Sequence, residues 1–272
     1  MEKVTFENRR IAIIGGGHMG LALAKGLALG GKVEPSQIWV ADPMLPKIAH
    51  LKEYGIKVTT SNSLAVSNAD IVFIVVKHLI VKEVVGEVKD LIRNKLLVSA
   101  AAALSIKSLK AMTHKDQKIV RIMPNLPVAY NEGVIGVFAT NQVSGKEKIK
   151  LVKMLSSLGT VVNLKNEKEL NTVTLISACG PAIVSSFFEL MVSYAEEKKI
   201  PKETASKIVM RTFIGTLYYL NESEFLPSEL IKFVATKGGI TETILKKLDK
   251  DFKKNFVRAM EGGRIKIEKL TK

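Results

Sequence analysis

The sequence predicts an α/β fold, in which a doubly wound sheet precedes a second domain made only of helices. Three observations support this prediction. A glycine-rich turn joins a short apolar strand to a helix near the amino terminus. Apolar strand-like runs then alternate with helix-like segments, as in parallel sheets covered on both faces. No convincing strand follows residue 165, so we predict domains at 1–165 and 166–272.

The glycine-rich turn lies between an apolar run at Ile11–Ile14 and a helix-like run at Leu21–Leu29. It fits the pattern G-x-G-x-x-G at Gly15, Gly17 and Gly20. In this pattern the first glycine permits a tight turn, the second lets a pyrophosphate approach the backbone, and the third lets the helix pack on the strand. The phosphates then lie at the helix N-terminus, where unpaired N–H groups and the helix dipole favour an anion. The turn predicts a Rossmann-type dinucleotide site; a glycine turn that only packs a helix on a strand is the alternative.

An acidic residue stands where a dinucleotide site of this type uses one. A second apolar segment, Ile38–Ala41, ends at Asp42, roughly 20 residues beyond Gly20. The Asp42 carboxylate is expected to accept hydrogen bonds from the adenosine ribose. It should also repel a 2′-phosphate, which favours NADH, although the nearby Lys47 and the basic charge of the domain leave NADPH open.

Hydrophobic periodicity predicts the remaining elements of the first domain and all those of the second. Strands are predicted at Ile56–Thr59, Ile71–Val76, Leu96–Ala100, Ile119–Met123, Val134–Ala139 and Thr160–Leu164. The helices between them are predicted at Ser63–Ser67, Leu79–Arg93, Ile106–Met112 and Lys146–Leu158. Helices of the second domain are predicted at Leu170–Lys198, Lys202–Leu220, Pro227–Val234, Thr241–Leu248 and Phe252–Lys269. Gly180–Pro181 should kink or break the first of these.

Composition restricts the class of protein. A chain of 272 residues with 47% hydrophobic content can form two domains. The single cysteine, Cys179, excludes an intrachain disulfide, and no signal peptide is apparent, so a cytoplasmic location is expected. The net charge of +15 favours anions, but the lysines are dispersed and no nucleic-acid motif is present, so neither nucleic acid nor membrane is predicted as a partner. Histidines and cysteine lack ligand spacing, and no metal site is predicted.

Several helix faces of the second domain are apolar nearly all round, as in IVSSFFELMV at 183–192. A helix with no polar face is usually buried on all sides. A helical domain of this composition therefore suggests a subunit interface as well as a core, which makes it a dimerisation domain. A compact monomeric bundle is the alternative.

Three further segments lie where ligands could bind. They are RIMPNLP at 121–127, TLISACGPA at 174–182 and ATKGGITETIL at 235–245. The first lies at the carboxyl end of a predicted strand, where open α/β sheets bind ligands. In the third, Gly238–Gly239 precede a helix, so that backbone N–H groups could hold a small carboxylate with help from the hydroxyls of Thr236 and Thr241. A proline turn, a helix kink and a helix cap would each explain one segment alone.

Taken together, these segments resemble the pyrroline-5-carboxylate reductase family over nearly the whole chain. The family's glycine turn ends in Met-Gly, and GGGHMG matches it; its Val-Lys-Pro is matched in part by Val76-Lys77-His78. Its Ser-x-x-Ala-Gly is matched by Ser99, Ala102 and Ala103. The motifs Arg-x-Met-Pro-Asn-Thr-Pro, Ser-Gly-Ser-Gly-Pro-Ala-Tyr and Ser-Pro-Gly-Gly-x-Thr are matched by RIMPNLP, SACGPAI and TKGGIT.

The resemblance implies reduction of 1-pyrroline-5-carboxylate to L-proline, the last step of proline biosynthesis, by hydride transfer from NADH or NADPH. The nicotinamide would supply the difficult chemistry, while the protein positions the reactants. The resemblance implies that the catalytic residue is Thr241, whose hydroxyl faces the imine nitrogen. It also implies a homodimer, or a ring of dimers, built through the helical domain.

The resemblance and the glycine turn together predict the site residues. The substrate-binding residues are predicted to be Thr174, Ser177, Thr236, Gly238, Gly239 and Thr241. The cofactor-binding residues are predicted to be Gly15, Gly17, His18, Met19, Gly20, Asp42, Val76, Lys77, Ala101, Pro124 and Asn125. His18 and His78 are interpreted as lining the site rather than acting in catalysis.

Several positions depart from the family pattern, and they keep other functions open. The substitutions place Leu126 for Thr, Ala178 for Gly, Cys179 for Ser, Ile183 for Tyr, Thr236-Lys237 for Ser-Pro, and Ala103 for Gly. A related cyclic imine, such as a piperideine carboxylate, is therefore an alternative substrate. The further alternatives are a hydroxy-acid reductase on the same fold and a non-catalytic dinucleotide-binding descendant.

Overall fold

The computed structural model describes residues 9–271, apart from the side chains of residues 249 and 250. The chain divides into two compact units. The first contains the residues up to Gly180 together with those from Arg264 onward, and the second contains Pro181–Gly263. The last strand ends at Asn163, just before the domain boundary at 165 that the sequence predicts. That domain boundary itself stays a prediction.

The first unit contains an eight-stranded sheet in the order β3-β2-β1-β4-β5-β6-β7-β8. Its strands are β1 (Ile11–Ile14), β2 (Ile38–Ala41), β3 (Lys57–Thr59), β4 (Ile71–Ile74), β5 (Leu96–Ser99), β6 (Lys118–Pro124), β7 (Gly133–Ala139) and β8 (Gly159–Asn163). The chain runs from β1 through β2 to β3 at one edge of the sheet, and it then returns to form β4 on the other side of β1. This reversal is the switch point at which doubly wound sheets bind ligands, and it confirms the predicted fold class.

The β6–β7 pair departs from the parallel sheet expected from the sequence. These two strands are antiparallel, with Val120 opposite Ala139 and Pro124 opposite Ile135, whereas the other neighbouring strands are parallel. Only residues 125–132 connect them. A parallel crossover needs a dozen or more residues, so this short connection forces β7 to turn back along β6.

Helices cover both faces of the sheet. In the first unit they are α1 (His18–Leu29), α2 (Leu45–Ile48), α3 (Asn62–Ser67), α4 (Val81–Val88), α5 (Ile106–Met112), α6 (Gly145–Leu155) and α7 (Glu169–Val173). Successive side chains of a strand point to opposite faces. Accordingly, Ile13 of β1 packs in one buried cluster with Leu27 of α1, while Ile14 packs in another with Val85 of α4.

The carboxyl-terminal part is helical throughout, as predicted, with one error in the division of its helices. The helices are α8 (Gly180–Glu197), α9 (Lys202–Glu222), α10 (Pro227–Val234) and α11 (Ile240–Thr271). The sequence predicts two helices at 241–248 and 252–269, but α11 is continuous through both. The charged residues at 249–251 interrupt the apolar pattern without breaking the backbone, because no proline or glycine stands among them.

Large apolar side chains are exposed on the second unit. Its buried cluster contains Val192, Ala205 and Val209, whereas Leu190, with 66% exposure, faces outward together with many other apolar side chains. An exposed apolar surface of this kind marks an interaction site and disfavours the monomeric bundle. The segment Glu169–Glu197 is also long and apolar enough to span a membrane, with a mean hydropathy of 1.7, by length and composition only. One such helix is weak evidence for a membrane span, because apolar helices of soluble proteins share these properties.

Ala103 adopts a left-handed backbone conformation in the loop between β5 and α5. Its φ is 57°, in the region where a Cβ atom approaches the following carbonyl oxygen. Glycine avoids this contact, and glycine is the residue that the resembled family has at this position. The loop is therefore strained at Ala103.

We expect Ala103→Gly to raise the free energy of unfolding by about 0.5–1 kcal/mol, because relief of this strain outweighs the added freedom of glycine in the unfolded chain. Denaturant unfolding of the variant and the wild type measures the difference. The neighbouring Ala102→Gly is the matched control, and it should lower stability because Ala102 does not have a positive φ. Equal or lower stability of Ala103→Gly would contradict the strain at this position.

Glu147 joins the first turn of α6 to the start of β6. Its Oε1 accepts a hydrogen bond from Lys118 Nζ at 2.7 Å, and its Oε2 accepts from the Ser144 N–H at 3.0 Å in a capping box. Burial disfavours the charged form of Glu147, but the hydrogen bonds from Lys118 and Ser144 outweigh burial and lower its pKa from 4.5 to about 2. The carboxylate is therefore stabilised in the folded protein.

Since the folded pKa of Glu147 lies below its unfolded value, its contribution to stability is complete above about pH 4.5 and is lost as the pH falls toward 2. We expect Glu147→Gln to lower the unfolding free energy at pH 7 by about 1–2 kcal/mol, after allowance for solvent screening. Unfolding measured from pH 7 to pH 2 should show a smaller loss for the variant than for the wild type. The exposed Glu53→Gln is the control, and parallel curves for Glu147→Gln and the wild type would refute the assignment.

Candidate functional site

The glycine-rich turn has little space around two of its three pattern glycines. Gly15 has a φ of 109°, and a Cβ atom on it would lie 2.5 Å from the Val75 carbonyl oxygen. A Cβ atom on Gly20 would collide with the carbonyl oxygen of Gly15. Gly17 differs, because no described residue other than its chain neighbours has an atom within 4 Å of the position of its missing Cβ. The turn is thus closely packed on the protein side and open at Gly17.

Helix α1 begins at this open turn. Its N-cap is Gly17, which has no side chain to cap the helix, so the first N–H groups have no acceptor within the helix. His18 is exposed beside them, whereas Met19 is partly buried against the core. A turn of this geometry presents N–H donors and the positive end of a helix dipole to an anion.

Asp42 is held against the glycine turn by its own hydrogen bonds. Its Oδ2 accepts from the Gly16 N–H at 2.8 Å, and its Oδ1 accepts from the Met44 N–H at 2.9 Å. A Cβ atom on Gly16 would lie 2.9 Å from the Asp42 Cβ and would collide with Ile48. Gly16 therefore matters as much as the pattern glycines, although sequence reasoning assigned it no role. The run of three consecutive glycines at 15–17 is the sequence feature that could have indicated this role.

The other predicted cofactor residues follow the strands beside β1. Val76 and Lys77 come after β4, Ala101 comes after β5, and Pro124 and Asn125 stand at the end of β6. The carboxyl ends of parallel strands meet at one edge of a sheet, so the structure brings these residues to the edge that carries the glycine turn. Lys77 is exposed there and Ala101 is buried.

Asn125 has a structural contact that the sequence does not reveal. Its Oδ1 accepts a hydrogen bond from the Val134 N–H at 2.8 Å, which fixes the start of β7 beside the end of β6. The amide oxygen is thereby engaged, whereas its NH2 group donates to none of the described residues. The conformation of Asn125 at the sheet edge is therefore set before any ligand binds.

A partly buried ion pair, which sequence reasoning missed, supports the same edge. Arg121 is only 3% exposed, and its Nη1 donates to Glu167 Oε1 at 2.8 Å. The same Glu167 oxygen accepts from the Ile106 N–H at 2.7 Å, while Arg121 Nη2 lies 3.4 Å from the Ala101 carbonyl oxygen. These contacts fix the loop between β5 and α5 at both ends. The sequence signal was an arginine inside an otherwise apolar strand.

The predicted break at Gly180–Pro181 takes the form of a π-helical segment at Thr174–Ala178. The Cys179 N–H donates to the Thr174 carbonyl oxygen at 2.9 Å, five residues back. Pro181 has no N–H to donate within an α-helix, so the helix widens before it and restarts as α8. Thr174 Oγ1 donates to the Leu170 carbonyl oxygen at 2.7 Å, whereas the Ser177 hydroxyl is buried without a recorded partner. π-Helical turns occur frequently at functional sites, and a buried hydroxyl without a hydrogen-bond partner is a second feature that marks this segment.

The Gly238–Gly239 turn lies in the second unit, just before α11. Gly238 has a φ of 75°, and its N–H donates to Glu242 Oε2 at 2.8 Å. The Gly239 N–H donates to the Thr236 carbonyl oxygen at 2.9 Å. Thr241 lies in the first turn of α11 and lines an apolar cavity of about 620 Å³. The predicted substrate residues of this segment thus form one compact group.

The structure therefore places the predicted site residues in two groups, one in each unit. The first group lies along the carboxyl edge of the sheet and in the π-helical segment, and the second surrounds the Gly238 turn. Among the residues that the structure describes, no group of three or more His, Cys, Asp or Glu side chains could hold a metal ion.

Two protein-family models match separate parts of the chain. Residues 10–103 match a family described as NADP oxidoreductase, coenzyme F420-dependent. Residues 167–270 match the family described as pyrroline-5-carboxylate reductase dimerisation. The first match covers the glycine turn and the strands beside it, and the second covers the helical part.

Known proteins resemble the chain over most of its length. The pyrroline-5-carboxylate reductase of Pseudomonas aeruginosa is 34% identical over 87% of this chain and 87% of its own. That of Aquifex aeolicus is 31% identical over 96% and 97% of the two chains. The crystal structure of Plasmodium falciparum pyrroline carboxylate reductase with NADP bound has a TM-score of 0.90 and 27% identity, and covers 98% of this chain and 99% of that one. Together with the fold and the placement of the motifs, these similarities show that the chain belongs to the pyrroline-5-carboxylate reductase family.

Proposed function

We propose that this chain reduces 1-pyrroline-5-carboxylate to L-proline with NADH or NADPH. The observation that carries the proposal is the open glycine turn at the switch point of the sheet, in a chain that belongs to this reductase family over nearly its full length. An anion-binding turn at the switch point of the sheet supports binding of a dinucleotide cofactor. Membership of the family supports a cyclic imine as the substrate. The bound nicotinamide supplies the hydride.

The residues present fit a dinucleotide. The open side of Gly17 and the uncapped first turn of α1 would hold the pyrophosphate. Asp42 would accept from the adenosine ribose, since each of its oxygens retains a lone pair beside the hydrogen bonds from Gly16 and Met44. His18 and Met19 would flank the phosphates. The nicotinamide end would lie among Val76, Lys77, Ala101, Pro124 and Asn125.

The proposed substrate-binding residues form two groups, one around the Gly238 turn and one in the π-helical segment. The turn formed by Gly238 and Gly239 would bind the carboxylate together with the Thr236 hydroxyl, because hydroxyls and the first N–H groups of the helix that follows the turn donate to anions. The Thr241 hydroxyl would orient the imine nitrogen and relay its proton. Ser177 would offer its unpartnered hydroxyl, and Thr174 would stand beside it.

A cyclic imino acid fits this chemistry better than a hydroxy acid. Reduction of a keto acid to a hydroxy acid requires a general acid, which lysine commonly supplies in such folds. From Glu169 to Glu197, the segment that contains the π-helix and α8 has no lysine. Hydride addition to an imine that is already protonated requires no such acid.

The exposed apolar helices support self-association. The part of the chain that matches the dimerisation family also carries exposed apolar side chains such as Leu190, Phe233 and Ile240. We propose that it forms a homodimer, which covers these side chains, and that dimers assemble into a ring in the cytoplasm.

We expect the purified protein to oxidise NADH or NADPH when 1-pyrroline-5-carboxylate is added. Thr241→Val should lower kcat at least about tenfold, because loss of a hydrogen bond to a charged group costs about 1.5 kcal/mol or more. Thr241→Ser retains the hydroxyl and should stay within about threefold of the wild type. The decrease in cofactor absorbance with time measures both variants.

The outcomes of this assay separate the alternatives. Turnover of a six-membered ring imine but not of the five-membered one would indicate a related substrate. Binding of cofactor without turnover of either ring would indicate a non-catalytic dinucleotide-binding protein. Equal activity of Thr241→Val and the wild type would exclude the role of Thr241.

Asp42 supports a preference for NADH. Its carboxylate is fixed beside the glycine turn, where the adenosine ribose would lie, and a 2′-phosphate would bring further negative charge toward it. Two like charges about 4 Å apart at a protein surface repel by about 1–4 kcal/mol. Lys47 in α2 and the basic charge of the chain partly offset this repulsion.

We expect Asp42→Ser to shift the ratio of kcat/KM for NADH to kcat/KM for NADPH at least about tenfold toward NADPH, because the repulsion is removed. Steady-state kinetics with both cofactors measures the ratio. Asp42→Asn is the matched control for shape, since its amide oxygen can still accept one of the two backbone hydrogen bonds, and it should shift the ratio in the same direction. An unchanged ratio in both variants would rule out this role for Asp42.

A further inference from the structure

The Gly238 turn holds a carboxylate that belongs to the chain itself. The Gly238 N–H donates to Glu242 Oε2 at 2.8 Å, and Glu242 Oε1 lies 2.9 Å from Lys246 Nζ. Glu242 is partly exposed, whereas Lys246 extends into solvent with 71% exposure. The turn that would bind the substrate's carboxylate is thus in contact with an internal carboxylate.

Glu242 is charged in this position. The hydrogen bond from Lys246 lowers the pKa of Glu242, and the hydrogen bond from the Gly238 N–H lowers it further. The remaining donors of the turn are the first N–H groups of α11, which have no acceptor within the helix. A second carboxylate on those donors would lie close to that of Glu242, and like charges at this separation repel.

We propose that Glu242 is a specificity-determining residue, because its carboxylate competes with that of the substrate for the Gly238 turn. Substrate would bind when the Glu242 side chain turns away from the Gly238 N–H and keeps its ion pair with Lys246. This proposal rests on the proposed function, in which the Gly238 turn holds the substrate's carboxylate. A ring imine without a carboxylate does not need the turn, so Glu242 should not affect its binding.

The contact differs from an ordinary helix cap. In the capping box of α6, the side chain of Glu147 accepts from the N–H of the N-cap residue, Ser144. In α11 the acceptor reaches one residue further, to Gly238, which precedes the N-cap position and has a left-handed φ of 75°. Glu242 therefore engages the turn itself and not only the end of the helix.

The test compares Glu242→Ala and Glu242→Gln with the wild type in steady-state kinetics. Glu242→Gln keeps an uncharged acceptor for the Gly238 N–H, so it preserves folding if Glu242→Ala does not. We expect both variants to lower the KM for 1-pyrroline-5-carboxylate at least about threefold, while the KM for NADH and the KM for 1-pyrroline, which lacks the carboxylate, stay unchanged. A role limited to capping would lower Tm and leave all three KM values unchanged.

Glu203→Gln provides a matched control. Glu203 lies in the first turn of α9 and pairs with Lys207 at 2.7 Å with the same spacing of four residues, but no backbone N–H of the described residues donates to it. This variant should leave the KM for 1-pyrroline-5-carboxylate unchanged. An unchanged or raised KM for that substrate in both Glu242 variants would overturn the proposal.

The wild-type assay separates this proposal from the proposed function. Turnover by the wild type supports the function whatever the Glu242 variants do. If the wild type does not turn over, titration with L-proline in the presence of NAD⁺ tests the turn directly by calorimetry. Binding at least about threefold tighter to Glu242→Ala than to the wild type would support competition, and equal or absent binding would overturn it.

Discussion

The close approach of α1 to β1 at the glycine turn is the constraint on which the rest of the dinucleotide site depends. The Gly15 carbonyl lies where a Cβ of Gly20 would have to be, and Val75 leaves no space for a side chain at Gly15. Because the helix starts directly at the turn, its first N–H groups point to the switch point of the sheet. Because Gly16 has no side chain, the Asp42 carboxylate can approach the Gly16 N–H. A side chain at any of these positions would move the helix, the carboxylate and the donors together.

The edge of the sheet is held by polar contacts as well as by packing. Arg121, which is buried, forms an ion pair with the partly exposed Glu167, whose oxygen also accepts from the Ile106 N–H, and Asn125 fixes Val134. The cost of removing Arg121 from water offsets much of its attraction to Glu167, so the main effect of this ion pair is to fix the positions of the loops rather than to add stability. Strain at Ala103 lies between the two ends of the loop that Arg121 and Glu167 fix. Loops that would line the nicotinamide are thereby fixed in advance, as a hydride transfer requires.

Local patterns were enough to predict the fold class and most elements of this chain. The bounds of β1, β2, α5 and α10 are those predicted, because apolar runs, caps and prolines delimit them. Features that depend on tertiary geometry were missed. Continuity of α11 through residues 249–251 and the antiparallel return of β7 follow from what the backbone permits, not from hydrophobic periodicity. The π-helical segment arises where Pro181 removes a donor, and sequence reasoning predicted only a break there.

The candidate site shows the same division between pattern and geometry. Glycine spacing located the dinucleotide turn, and the order of the motifs located the Gly238 turn, but neither showed which acceptor each turn already binds. Exposed N–H groups in a glycine turn attract the nearest carboxylate, and here each turn has one within reach. At Gly16 that carboxylate belongs to Asp42, which keeps lone pairs that a hydroxyl ligand could use. At Gly238 it belongs to Glu242, and a ligand that is itself a carboxylate meets an acceptor of its own charge. One physical rule thus predicts a supporting role for the first acid and a competing role for the second.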